Sequence, residues 1–198
     1  MQAETVTIAG HNGDDIEAYS ARPLGPGPFP GVVVIHHMPG YDRSTKEIVR
    51  TFAVYGYNAL CPNLFHRYAP GASANDAAAA AREAGGVPDA QCVGDVAGAA
   101  HVLRAAPTSN GKVGVIGYCS GGRQSYVVAC SLDLDAAVDC YGGRVVAAPE
   151  DLTPERPVAP IDMTPNLRCP LLGLFGREDT NPSPEQVVQI EAALNAHG

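Results

Sequence analysis

Five continuous apolar runs constrain this 198-residue chain more than any other feature. They read GVVVIHH (Gly31 to His37), YNALCPNLF (Tyr57 to Phe65), KVGVIGYC (Lys112 to Cys119), DAAVDCYGG (Asp135 to Gly143) and CPLLGLFG (Cys169 to Gly176). Runs of this length without polar alternation fit strands buried on both faces of a sheet. Segments with helical character follow them, over Ser44–Tyr55, Ala72–Ala84, Asp89–Ala106, Gly121–Ser131 and Pro184–Ala196. Ser183 is the expected N-cap of the last, with Pro184 at its first position, and Asn75 or Asp76 lies near the start of the Ala-rich one. Strand–helix alternation of this kind requires an α/β protein with a mainly parallel sheet. The length suits a single domain over residues 1–198. TVTIAG and DIEAYSARP read as an N-terminal hairpin turning at His11–Asp14, and the Pro-rich stretch from Val145 to Arg168 as a long loop or lid.

The net charge of −8 argues against nucleic acid or an anionic membrane as the partner. The N-terminus MQAETVTIAGHNGDD has no basic region followed by an apolar core, and no apolar run approaches the length of a bilayer span. Six cysteines at irregular spacings, with no CxxC pair, read as reduced thiols of a cytoplasmic protein. Nothing in the sequence reads the oligomeric state.

Ligands of parallel sheets bind at the carboxyl ends of the strands. There the sequence VGVIGYCSGGRQSY (Val113 to Tyr126) sets Cys119 between a strand and a helix, with Gly117 two residues before it and Gly121 two after. A nucleophile on such a corner needs small residues at both places. Taking Ser120 as the nucleophile would put Tyr118 at one of them, so Cys119 is preferred. The helix N-terminus favours thiolate, and the Ser120 N–H would point at a developing oxyanion. An acid is expected on a loop after a later strand. GLFGREDTNPS supplies Asp179, with Glu178 beside it as the alternative.

With these pieces in hand, the chain resembles the dienelactone hydrolase (carboxymethylenebutenolidase) family of α/β-hydrolases. PGVVVIHHMPG, GYNALCPNLF, SNGKVGVIGYCSGG and LFGREDTNPSPEQVVQIEAAL carry the resemblance, from about Pro30 onward. It implies a three-layer α/β/α sandwich and hydrolysis of an ester or enol-lactone by a Cys-His-Asp triad with no cofactor and no metal. It assigns the nucleophile to Cys119, the acid to Asp179 and the second oxyanion N–H to Met38.

Three departures accompany the resemblance. The family histidine lies beyond the helix that ends here in ALNAHG, so the triad histidine, with a last strand and helix, is expected beyond Gly198. His197 matches no motif position. His37 stands where the family has a glutamate, and an imidazolium there would lower the pKa of Cys119. The family grips a substrate carboxylate with arginines, and one of those positions falls in the Ala77–Ala81 run; Arg82 or Arg123 is the expected substitute. Tyr118 is a further pocket candidate, as are Tyr41, Phe65, Arg67 and Tyr68 on loops after strands. His36 and His37 are adjacent on a strand and point to opposite faces, which disfavours a metal site. APTSNGKV fails the phosphate-loop pattern. The expected partner is a small ester or lactone. The alternatives are a non-catalytic or truncated protein of the same fold and a redox-sensing thiol protein.

Overall fold

The computed structural model describes residues 1–197. Strands β1 (Gln2–Ala9) and β2 (Asp15–Arg22) form the expected antiparallel hairpin, with Ile8 opposite Ile16. Asn12 and Gly13 turn it in the left-handed region. β2 then runs antiparallel to β4 (Asn58–Pro62). The remaining neighbours are parallel: β4 with β3 (Phe29–Ile35), β3 with β5 (Ser109–Tyr118), β5 with β6 (Ala136–Cys140) and β6 with β7 (Leu171–Leu174). The spatial order is β1-β2-β4-β3-β5-β6-β7.

Alternation along the central strands explains the layers. Val33 and Ile35 of β3 pack with Val96, Ala99 and Leu103 of α3 (Asp89–Ala105) and with Val128 of α4 (Ser120–Ser131). Val32 and Val34 face the other way, onto Val49 and Ala53 of α1 (Arg43–Val54). Both faces of β3 are thus covered, and each large buried side chain contributes about 1.5–3 kcal/mol. The result is the expected α/β sandwich with helices on both faces.

Helix ends follow local chemistry. Asp42 caps α1 by accepting the Thr45 N–H, at 2.8 Å. The Ala-rich helix α2 (Ala74–Glu83) starts two residues after Ala72, with Asn75 and Asp76 in its first turn, because Ser73 Oγ accepts the Asp76 N–H at 3.2 Å. α5 (Pro184–His197) begins in a reciprocal box: Ser183 Oγ accepts the Gln186 N–H, and Gln186 Oε1 accepts the Ser183 N–H. The CPLLGLFG run differs from its reading as a strand buried on both faces: β7 is the last strand of the sheet among the described residues, and Leu172 and Leu174 are 55% and 49% exposed there. The Val145–Arg168 stretch forms 3₁₀ turns at Pro149–Asp151 and Pro160–Asn166 joined by irregular chain.

Candidate active site

The corner between β5 and α4 is as tight as the glycine spacing predicts. Cys119 sits at φ 57° and ψ −118°, a backbone that few non-glycine residues adopt. Hydrogen bonds hold it there. Its N–H donates to the Cys140 carbonyl at 3.0 Å, and its carbonyl accepts the N–H groups of Gly122 and Arg123. A Cβ at Gly117 would collide with the Gly121 carbonyl, and one at Gly121 would lie 2.5 Å from the Ile35 carbonyl oxygen. Only glycine fits either place. The Cys119 side chain is exposed, whereas the other five cysteines are buried.

A cavity of about 540 Å³ opens over this thiol. Met38 and Ser120 line it, and neither of their N–H groups donates a backbone–backbone hydrogen bond among the described residues. Asp179 lines it from the turn after β7. Its Oδ1 accepts the N–H groups of Thr180 at 2.7 Å and Asn181 at 3.1 Å. Four residues predicted from sequence, Cys119, Ser120, Met38 and Asp179, are therefore brought to one cavity.

The other candidates separate. His37 does not line this cavity; its Nε2 meets Asp42 Oδ2 at 3.2 Å. The carboxylate that caps α1 holds the ring, so the expected imidazolium beside Cys119 is not assembled. Tyr118 packs with the Val34–Tyr41 cluster on the α1 side, where burial raises its hydroxyl to about 12. Arg82 is exposed on the last turn of α2, away from the cavity. Arg123 does line it, but its guanidinium is held in a fork by Asp89, at 2.6 and 3.0 Å. That carboxylate compensates its charge. Tyr41 and Phe65 line a different cavity.

His36 is buried and neutral. Burial lowers it to about 4, against a weaker raising effect from its hydrogen bond to the His37 carbonyl. Its Nε2 accepts the Leu64 N–H, which leaves Nδ1 to donate to the His37 carbonyl oxygen. No histidine among the described residues lines the Cys119 cavity. His197 lies elsewhere, with Cys169 and Leu194. The triad histidine expected beyond Gly198 lies outside the described residues.

Several lining residues escaped the sequence reading. Tyr141 and Arg144 follow β6 with φ of 45° and 62°. Gly143 lets this loop close against the acid loop, since a Cβ there would be 2.7 Å from Asn181 Nδ2. The CYGGR string carried the only signal. Arg156 arrives from the irregular stretch, which carried none. Burial first, then the nearby Arg123 guanidinium, holds Arg156 below its ordinary value. Neither Arg144 nor Arg156 has a carboxylate within 4.0 Å among the described residues. Beneath the corner, Asp139 is fully buried and its Oδ1 accepts the Gly142 N–H at 2.8 Å. Its Oδ2 has no partner, and burial raises the carboxyl to about 6.

Among the described residues, no group of three or more His, Cys, Asp or Glu side chains could hold a metal, and no helix is long and apolar enough to cross a membrane.

The sequence and the fold are similar to those of known proteins. The sequence is 32% identical over 197 residues to a Salmonella typhimurium protein provisionally named a carboxymethylenebutenolidase, spanning 96% of this chain and 70% of that one. It is 33% identical over 147 residues to the carboxymethylenebutenolidase of Pseudomonas putida, covering 72% of this chain and 62% of the relative. The coordinates superpose on a Klebsiella pneumoniae protein provisionally assigned as a dienelactone hydrolase, with a TM-score of 0.86 and 29% identity, over 99% of this chain and 81% of that chain. The chain thus spans between about three fifths and four fifths of these relatives. The profile of the dienelactone hydrolase family matches residues 16–198, and with the cysteine corner and the sheet order in place, the chain belongs to that family.

Proposed function

We propose that this protein hydrolyses esters or enol-lactones with Cys119 as nucleophile. The observation that carries the reading is the exposed thiol at positive φ on the strand–helix corner, facing the same cavity as two unengaged N–H groups and Asp179. Family membership and the carboxymethylenebutenolidase relatives support a hydrolase of this class.

In this reading, the thiolate forms a bond to the carbonyl carbon. The Met38 and Ser120 N–H groups take the oxyanion. As the tetrahedral adduct collapses, the carbonyl-to-oxygen bond of the ester or lactone breaks and the leaving enol or alcohol takes a proton. Water then attacks the thioester and releases a carboxylic acid and the thiol. Both proton transfers call for an imidazole between Sγ and a carboxylate. Asp179 is the carboxylate in this reading, and the imidazole is supplied from outside the described residues. Arg144 and Arg156 line the cavity with no carboxylate within 4.0 Å among the described residues, which favours a substrate that carries its own negative charge. The free thiols support a reducing, cytoplasmic setting.

The test compares native protein and Cys119→Ala on an activated aryl ester and on an anionic enol-lactone. Activity should fall at least about a thousandfold in the variant. Equal turnover by both proteins would remove Cys119 from the mechanism.

A further inference from the structure

Two side chains in the wall of the Cys119 cavity are almost wholly buried, and both come from α4. Arg123 is 7% exposed and Gln124 is 8% exposed. The Arg123 guanidinium already has its partner in the Asp89 carboxylate. Gln124 has none. The side-chain hydrogen bonds of α4 involve Arg123, Ser125, Tyr126 and Ser131, and no hydrogen bond among the described residues engages the Gln124 amide.

A buried carboxamide normally finds partners, because its two N–H donors and its carbonyl acceptor each cost free energy when left unmet. Gln124 is not among the side chains with a wholly buried, unpartnered polar atom. Its amide nitrogen and oxygen therefore both reach open space. That space is the Cys119 cavity: the cavities beside α1, along β3 and β5, under α5 and at the end of α4 do not have Gln124 in their walls. Gln124 also follows Ser120 by four residues, which puts the two on one face of α4. The Ser120 N–H is the oxyanion donor in the proposed reaction, so the amide stands about one helical turn from the reacting carbonyl.

Water answers a free amide at a cavity wall until a ligand displaces it. A ligand that brings no polar group in exchange forfeits those hydrogen bonds, and one with a matching group keeps them. A hydroxyl matches whichever way the carboxamide is turned, since it accepts from the amide nitrogen and donates to the amide oxygen.

We infer that Gln124 is a specificity-determining residue of this cavity, and that its carboxamide selects esters or lactones whose acyl part carries a hydroxyl group. The inference rests on the reading of this cavity as the substrate site.

Protection of Cys119 from alkylation by N-ethylmaleimide tests it, because alkylation needs the thiol and does not need hydrolysis. Butyrate and 3-hydroxybutyrate, which differ by one hydroxyl, are the competing acids, and the mass of the Cys119 peptide is the readout. In the native protein 3-hydroxybutyrate should protect at a concentration about three- to tenfold lower than butyrate. Gln124→Met keeps the length of the side chain and suits a helix, and should bring the two acids level. Gln124→Leu is a second variant with the same expected result. The inference is overturned if neither acid protects, if the native protein treats the two alike, or if both variants keep the native preference. Turnover of the matching 4-nitrophenyl esters, measured alongside, separates this inference from the proposed reaction. A Gln124-dependent preference without turnover would strike the hydrolase reading alone, and turnover with equal protection by the two acids would strike the role of Gln124 alone.

Discussion

At the scale of single residues, the corner depends on what its neighbours lack. Cys119 holds a positive φ because Gly117 and Gly121 let two backbone segments close around it. Gly121→Ala would drive a methyl group against the carbonyls of Ile35 and His36, both backbone atoms of the central strand region. That substitution should cost about 1–3 kcal/mol, read as a lower urea midpoint, and should disturb Cys119 as well. A variant with unchanged midpoint would mean that α4 can shift freely, contrary to its packing. The glycine spacing was legible in the sequence because sterics alone prescribe it. The direction of His37 was not: its Nε2 meets Asp42 only because α1 folds with that carboxylate at its start.

At the scale of elements, caps and ion pairs set how the site loops are held. Ser73→Ala removes the side-chain acceptor at the start of α2 and should cost about 1 kcal/mol, measurable as a fall in the urea midpoint. The Asp89–Arg123 fork ties α3 to α4 just behind the thiol, with both side chains largely buried. Asp89→Ala would leave the Arg123 guanidinium buried and unpaired, and should cost about 3–5 kcal/mol. The same variant should retain a Cys119 that alkylating reagents reach, since the hydrogen bonds at the corner come from its backbone. Helix boundaries were readable to within two residues or so, because capping is local chemistry. The loop from Tyr141 to Arg144 was not readable as part of the site. Gly143 in it meets the Asn181 turn, a contact between segments nearly forty residues apart.

At the scale of the whole molecule, two buried titrating groups give stability opposing dependences on pH. His36 falls from 6.5 to about 4 on folding. Between those values the unfolded chain binds more protons, so His36 makes stability rise with pH. Asp139 rises from 3.8 to about 6. There the folded chain binds more protons, and stability from Asp139 falls as pH rises through that window. From about pH 4 to 6 the two effects oppose each other. Asp139→Asn removes one of them and should steepen the loss of stability on acidification from pH 6.5 to 4.5, by about 3 kcal/mol at most. Urea midpoints of both proteins across that range provide the check; parallel curves would show that Asp139 does not titrate there.

The sequence by itself determined the α/β class, the parallel sheet, the hairpin at its start and the cysteine corner. Each of these follows from periodicity or sterics acting over a few neighbouring residues. It also placed Asp179 on a turn after a late strand, since turn chemistry is equally local. Only the tertiary structure decided that Arg123 is paired with Asp89 and that Arg144 and Arg156 line the Cys119 cavity. Only it showed Gln124 buried in the wall of that cavity. These facts depend on which distant segments meet, and one-dimensional spacing does not encode the partner a charge or an amide will find when the chain closes on itself.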